Sequence, residues 1–151
     1  MNHWLMKSEP ETYSIDDLIK DANQSTCWDG VRNYQARNFM RQMAINDRVF
    51  FYHSNCKVPG IVGIAKINKI AYPDFTAWDI DNDHYDPKST KDNPRWDMVN
   101  IQFVEKFKTI IPLKALYFHE QLQNLALIRR GNRLSVMPVS LIEWNFIINQ
   151  L

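Results

Sequence analysis

Short runs of apolar and β-branched residues alternate with polar segments and predict a series of strands. Residues 49–52 read Val-Phe-Phe-Tyr, which is typical of a buried strand, and residues 61–67 alternate loosely, which predicts one shared face for Ile61, Gly63, Ala65 and Ile67. Gly63 lies inside its strand and so indicates a bulge or a close approach of another group. The predicted strands cover residues 3–7, 47–54, 60–70, 96–107 and a segment within 127–136.

Capping signals predict the helices. Ser14 with Asp17, and Ser140 with Glu143, match the capping box, in which a serine side chain and an acidic side chain each bond the other's backbone N–H. Asn33 is a good N-cap for a helix that runs to about residue 43. Helices are therefore expected over residues 15–20, 34–43 and 141–149, with one or two short ones within 112–125.

These elements indicate an α+β fold. Five or six strands form a curved sheet, which we expect to close into a β-barrel flanked by the short helices. Residues 72–94 hold three prolines and many Asp and Asn residues, which predicts a long ordered loop of the kind that is often functional. No internal repeat or linker is visible, so residues 1–151 are predicted to form one domain.

Composition limits the cellular setting. Apolar residues make up 45% of the chain, yet no apolar run approaches the roughly 20 residues that a membrane span needs. The first residues lack the apolar core of an export signal, so we expect a cytoplasmic protein whose two cysteines are reduced.

Net charge is only +1, which argues against a binder that recognises polyanions through many phosphate contacts. The charge is uneven, however. One basic cluster contains Arg32, Arg37, Arg41 and Arg48, and a second contains Arg129, Arg130 and Arg133, whereas residues 74–97 are acidic. The second cluster, Arg-Arg-Gly-Asn-Arg, has the ingredients of a phosphate clamp, although a solvated surface turn has the same composition.

Enzyme motifs are weak. His53 and Cys56 form half of a zinc site or a conceivable nucleophile pair, but space-filling side chains at a strand end explain them better. No nucleophile elbow, phosphate loop, dinucleotide fingerprint or deaminase motif is present. The sequence therefore predicts no catalytic residues, no metal and no cofactor.

Aromatic and amide side chains recur where predicted elements end, which is where binding sites tend to form. Trp28 precedes Asn33 and Tyr34, and Trp78 lies in the acidic loop. Tyr52, Ser54 and Asn55 end one strand, and Lys7 and Ser8 end the first. A nucleobase needs this mixture, because its faces stack on aromatic rings and its edges form hydrogen bonds. The alternative is that both tryptophans are core or rim residues.

Several motifs together resemble the EVE domain, and the resemblance runs from Trp4 to about Trp144. They are WLMKSEP at residues 4–10, WDGVRNYQARN at 28–38, FYHSN at 51–55, YPD at 72–74, YDPKS at 85–89, PRW at 94–96 and RRGNRLSV at 129–136. The resemblance implies a PUA-like barrel related to ASCH and YTH domains. It also implies a non-catalytic module that reads a modified base, chiefly modified cytosine, in DNA or RNA.

The resemblance, together with the aromatic, amide and basic residues described above, predicts roles for individual residues. Trp28 and a second aromatic, either Trp78 or Tyr85, would flank the base. The pocket would also contain Ser8, Asn33, Tyr34, Tyr52, Ser54 and Asn55, and the phosphates would be held by Lys7, Arg37, Arg129, Arg130 and Arg133.

Two other function classes stay open. One is a sensor of a free nucleoside or nucleotide, which the near-neutral charge permits. The other is an amidohydrolase acting on modified nucleosides, as in some ASCH relatives, with Cys56 and His53 or a carboxylate–His pair in the reaction; turnover that disappears in Lys7→Ala or Cys56→Ser protein would favour it. Because the chain has no room for an effector domain, a reader would need an effector protein as partner or would act by sequestering or sensing.

Overall fold

The computed structural model describes residues 1–151 and contains one six-stranded mixed sheet. The strands are β1 (His3–Ser8), β2 (Ser25–Cys27), β3 (Arg48–His53), β4 (Gly60–Pro73), β5 (Asp97–Pro112) and β6 (Val136–Val139). Their order across the sheet is β2-β5-β4-β3-β1-β6. β1 runs parallel to β3, and all other neighbouring strands are antiparallel. The α+β class is confirmed, but the sheet is open, because β2 and β6 form its two edges and do not pair.

Four helices accompany the sheet: α1 (Ile15–Lys20), α2 (Tyr34–Gln42), α3 (Leu113–Leu116) and α4 (Leu141–Gln150). Both predicted capping boxes are confirmed, at Ser14 with Asp17 and at Ser140 with Glu143. Asn33 caps α2 as expected, because its side chain accepts a hydrogen bond from the Ala36 amide at 3.0 Å. None of the helices is long and apolar enough to cross a membrane.

Each face of the sheet has its own hydrophobic core. The first core contains Trp4, Met6 and Phe51 together with Leu18 of α1 and Met40 of α2. The second contains Leu5 and Phe50 together with residues of α3 and α4, and Trp144 stacks on Phe50 at 3.7 Å between ring centroids. Successive residues of β1 therefore enter opposite cores, as the two-residue period of a strand requires.

The bulge predicted at Gly63 is confirmed and changes which residues share a face. The β4–β5 register shifts between Ile61 and Gly63, and a Cβ at position 63 would lie 2.3 Å from the carbonyl oxygen of Glu105. Ile61 packs in the second core, whereas Ala65 and Ile67 pack in the first. Their predicted common face is wrong, because the extra residue of a bulge reverses the alternation.

Two strand predictions are also corrected. β2 is absent from the predicted strands, and it pairs with β5 from Ser25 to Cys27. β6 begins only at Val136, so most of residues 127–136 is irregular. Both strands are too short for an apolar alternation to be recognised in the sequence. They form because they pair with a neighbouring strand, which is a property of the sheet and not of the segment.

The C-terminal end of β1 is the junction that positions the site. Ser8 lies beside His53 of β3, and the Lys7 amide donates to the carbonyl of Ser135, just before β6, at 2.8 Å. The end of β1 therefore lies between the FYHSN segment on one side and the arginine-rich loop on the other.

Candidate functional site

A pocket of about 330 Å³ opens at this end of β1. β1 contributes Lys7 and Ser8, and the chain leaving β2 contributes Cys27, Trp28 and Asp29. The full lining is Lys7, Ser8, Thr12, Tyr13, Thr26, Cys27, Trp28, Asp29 and His84. The volume lies at the lower end of the range for small-ligand sites, which is roughly 300–1,000 Å³.

Trp28 lies at the boundary between this pocket and the first core. Its amide donates to the Val99 carbonyl at 2.7 Å, and its ring meets Phe51 edge-on with centroids 5.5 Å apart. Only 8% of the residue is exposed, yet it lines the pocket. Trp28 is therefore a core residue that also forms part of the pocket wall.

Ser8 gives the pocket a polar group, whereas the side chain of Lys7 lies on the other face of the sheet, over Tyr52 of the second core. The Ser8 hydroxyl donates to the Tyr13 carbonyl at 2.6 Å, so only its lone pairs are free. Lys7 forms no ion pair, and its ammonium lies 5.7 Å from the centroid of the Tyr52 ring. Burial lowers the pKa of Lys7, because an unpaired ammonium loses hydration there.

His84 is a pocket residue that the sequence analysis missed. It comes from the loop between β4 and β5, and its ring packs against Gly30. The backbone at Gly30 has a φ of +81°, which suits glycine. No local sequence pattern links a turn to a distant histidine.

The other predicted base-binding residues lie outside this lining. Tyr34 is half exposed and stacks on Trp96 at 4.7 Å, Tyr52 is buried in the second core, and Asn33 lies in a neighbouring groove. The side-chain amide of Asn55 donates to the Glu9 carboxylate at 3.0 Å. The backbone amide of Ser54 donates to the Ser8 carbonyl at 3.0 Å. Trp78 and its alternative Tyr85 belong to the same loop as His84 but do not line the pocket. Their roles in binding stay predictions.

The predicted phosphate-binding arginines line that neighbouring groove, which has a volume of about 890 Å³. Arg129, Arg130 and Arg133 are exposed and form no ion pair. We call this set the arginine loop. Its turn is held by Asn132, whose side chain accepts from the Leu134 amide at 2.8 Å and donates to the Ala126 carbonyl. Three free guanidinium groups on an ordered turn can each bind an anion.

The arginines of the first basic cluster, unlike those of the arginine loop, form ion pairs and hydrogen bonds within the protein. Arg32 pairs with buried Asp74 at 3.0 Å, and Arg41 pairs with Asp97. Arg37, a predicted phosphate contact, donates to the Arg95 carbonyl at 2.7 Å and to the Asn38 side chain. The arginine loop is thus the basic surface with more free donors.

The conceivable nucleophile pair is not assembled. His53 Nε2 accepts the Ile15 amide at 3.1 Å, and no hydrogen bond joins His53 to Cys56. No group of three or more His, Cys, Asp or Glu side chains is arranged to hold a metal ion.

Comparison with known proteins connects this geometry to a family. The EVE domain profile matches residues 2–150. Thymocyte nuclear protein 1 of Homo sapiens is 49% identical over 165 aligned positions, covering 98% of this chain and 73% of the human protein. An uncharacterised Schizosaccharomyces pombe protein is 39% identical over 96% of the chain and 66% of its own length.

Comparison with solved structures supports the same family. A protein from Pseudomonas syringae superimposes with a TM-score of 0.93 at 51% identity, covering 97% of both chains. Human THYN1, which is thymocyte nuclear protein 1, was crystallised in complex with DNA containing 5-methylcytosine; its TM-score is 0.94 at 49% identity, covering 98% of this chain and 96% of that one. An ASCH protein of Zymomonas mobilis shares only the fold, with a TM-score of 0.56 at 10% identity. On the profile match and these identities, the chain belongs to the EVE domain family.

Proposed function

We propose that this protein binds DNA carrying a modified cytosine and holds the modified base in the pocket at the end of β1. The observation that carries the proposal is a pocket lined by Trp28 whose β1 edge bonds, through the Lys7 amide, to Ser135, two residues after three unpaired arginines. It occurs in an EVE chain that is 49% identical to a human protein crystallised with 5-methylcytosine DNA.

The pocket lining suits a flat heterocycle. The Trp28 indole supplies an apolar surface, and base–aromatic contacts of this kind typically contribute about 1–3 kcal/mol. Ser8 keeps its lone pairs available for an N–H on the base edge, and the Lys7 ammonium, which lies over Tyr52 at the end of β1, can donate to a flanking phosphate. Together these contacts offset the cost of drawing a base out of its stack.

The arginine loop supports binding of the flanking backbone. Arg129, Arg130 and Arg133 have no acidic partner, so neutralising them with phosphates breaks no internal ion pair. Phosphate contacts position a nucleic acid without reading its sequence, whereas contacts to the base specify it. We therefore assign affinity to the arginine loop and discrimination to the pocket.

Titration with short oligonucleotides tests the proposal. DNA and RNA oligonucleotides carrying 5-methylcytosine, unmodified cytosine or N6-methyladenine are compared in single- and double-stranded form by fluorescence anisotropy. We expect tighter binding to modified cytosine, reduced in Lys7→Ala and Ser8→Ala proteins and unchanged in Phe118→Ala, a control on an exposed surface outside the pocket. Equal affinity for all oligonucleotides would contradict a reader of modified bases.

Lys7 favours a second candidate function, hydrolysis of a modified nucleoside. A half-buried amine without a carboxylate partner has a lowered pKa, which raises the fraction that can act as a base. Incubation with N4-acylated or 5-substituted cytidines, followed by chromatography, distinguishes the two. Turnover that disappears in Lys7→Ala protein supports an enzyme, and unchanged nucleosides support a binder.

A further inference from the structure

His84 reaches the pocket because position 30 has no side chain. A Cβ at Gly30 would lie 2.5 Å from both Cε1 and Nε2 of the His84 imidazole, which is closer than real Cβ contacts. The ring therefore occupies the space that a side chain at position 30 would fill, directly after Trp28 and Asp29 in the chain. Trp28 and His84 line the same pocket.

A network of hydrogen bonds fixes the backbone of His84. Arg32 donates to the His84 carbonyl through Nε at 3.1 Å and Nη2 at 2.8 Å. The same guanidinium pairs with Asp74, and Asp74 accepts the Gly30 amide at 2.8 Å. The His84 amide donates to the Asn82 side chain at 2.8 Å. The segment that follows Trp28 is thus hydrogen-bonded to the loop that contains His84.

The two ring nitrogens of His84 are in different surroundings. Nδ1 is buried and has no hydrogen-bond partner, whereas Nε2 is not enclosed in this way. A buried N–H without an acceptor is one of the rarest unsatisfied groups in proteins, and an unpaired acceptor is tolerated better. We infer that the neutral imidazole carries its proton on Nε2, which leaves a donor for a ligand in the pocket.

We propose that His84 is a base-recognition residue of this pocket, whose imidazole lies edge-on to the captured base and donates from Nε2 to an acceptor on the base edge. Cytosine offers two such acceptors, its O2 oxygen and its N3 nitrogen. The inference rests on the proposed function, and it gives the pocket an edge contact from the same loop that holds Trp78 and Tyr85, the predicted flanking aromatics.

Three variants test the role of His84. His84→Phe keeps a flat ring and removes the donor, and His84→Ala removes both. His119→Ala is the matched control, because its ring packs against Phe146 of α4, outside the pocket. Circular dichroism and urea unfolding identify any variant that fails to fold, and binding is measured with 5-methylcytosine and cytosine oligonucleotides.

The expected order of affinity for 5-methylcytosine DNA is wild type, His84→Phe and His84→Ala, with a loss of about tenfold or more in the alanine variant and none in His119→Ala. A folded His84→Ala protein that still binds within about twofold of wild type, and still discriminates, would overturn the inference while the proposed function stands. Wild-type protein that does not discriminate would overturn both.

Imidazole ¹⁵N NMR of wild-type protein separates recognition from a structural role. If His84 donates to the base, its Nε2 resonance shifts when the oligonucleotide binds, and free His84 shows the Nε2-protonated form. A His84 spectrum that does not change at saturation, while the intrinsic tryptophan fluorescence of the protein does, shows that the ring only supports the loop.

Discussion

At the scale of single residues, Gly30 and Gly131 form a natural matched pair. Their φ values are +81° and +80°, but a Cβ at Gly30 would meet His84 whereas a Cβ at Gly131 would meet nothing within 4 Å. Gly131→Ala should lower the free energy of unfolding by about 1–2 kcal/mol, the cost of a left-handed L-residue. Gly30→Ala should cost roughly 1–3 kcal/mol more, because His84 must move. Urea unfolding measures both, and equal losses would show that His84 does not depend on the glycine.

Asp74 makes stability depend on acidity. Burial alone would raise the pKa of Asp74, but bonds from Thr76, the Gly30 amide and Arg32 outweigh it and hold the pKa below its usual value of about 3.9. A lowered folded-state pKa gives stability that is complete above the unfolded-state pKa and is lost as the pH falls through the folded value. Below about pH 4, therefore, wild type should lose this contribution.

Asp74→Asn tests this linkage. The amide cannot ionise, so the variant should be less stable at neutral pH by about 3 kcal/mol, because Arg32 loses its buried partner, and should then fall less steeply on acidification. Urea unfolding at pH 6 and pH 3 gives both values. Asp81→Asn, in an exposed part of the same loop, is the control and should follow wild type. The same acid slope in Asp74→Asn as in wild type would assign the dependence elsewhere.

At the scale of elements, the sequence predicted best where local chemistry decides. Capping boxes and an N-cap depend on residues three positions apart, so Ser14, Asn33 and Ser140 could be recognised directly. The sequence predicted the bulge at Gly63, but it did not predict that the bulge places Ile61 and Ile67 on opposite faces of the sheet. β2 and β6 depend on pairing with distant strands, and the position of His84 depends on Gly30 and Arg32. Contacts between distant segments leave no local pattern.

The cap of α4 gives a prediction at this scale. Ser140 accepts the Glu143 amide at 3.1 Å and so anchors the helix that brings Trp144 onto Phe50. Ser140→Ala should lower the free energy of unfolding by about 1 kcal/mol, because an orphan amide loses its acceptor. Ser140→Asp keeps an acceptor and should restore most of that loss. Thermal and urea unfolding compare the two, and equal destabilisation would show that the cap contributes little.

At the scale of the whole molecule, charge is divided between an unpaired arginine loop and an acidic β4–β5 loop, although the sum is only +1. Binding to DNA should therefore depend on salt through a few phosphates on one side, rather than through a general attraction. The pocket, by contrast, should discriminate between bases almost independently of salt, because it surrounds an uncharged ring.

Replacing Arg129, Arg130 and Arg133 by alanine separates the two contributions. Affinity should fall for modified and unmodified DNA alike, and the slope of log affinity against log salt should flatten by about 0.9 for each phosphate of duplex DNA that the protein no longer neutralises. The ratio between 5-methylcytosine and cytosine should stay the same, since phosphates carry no base identity. A control in which Lys69, Lys91 and Lys108 become alanine removes equal charge from exposed positions outside the arginine groove. If both triple variants flatten the slope equally, net charge governs binding; if only the arginine variant does, the DNA backbone lies along the groove beside the pocket.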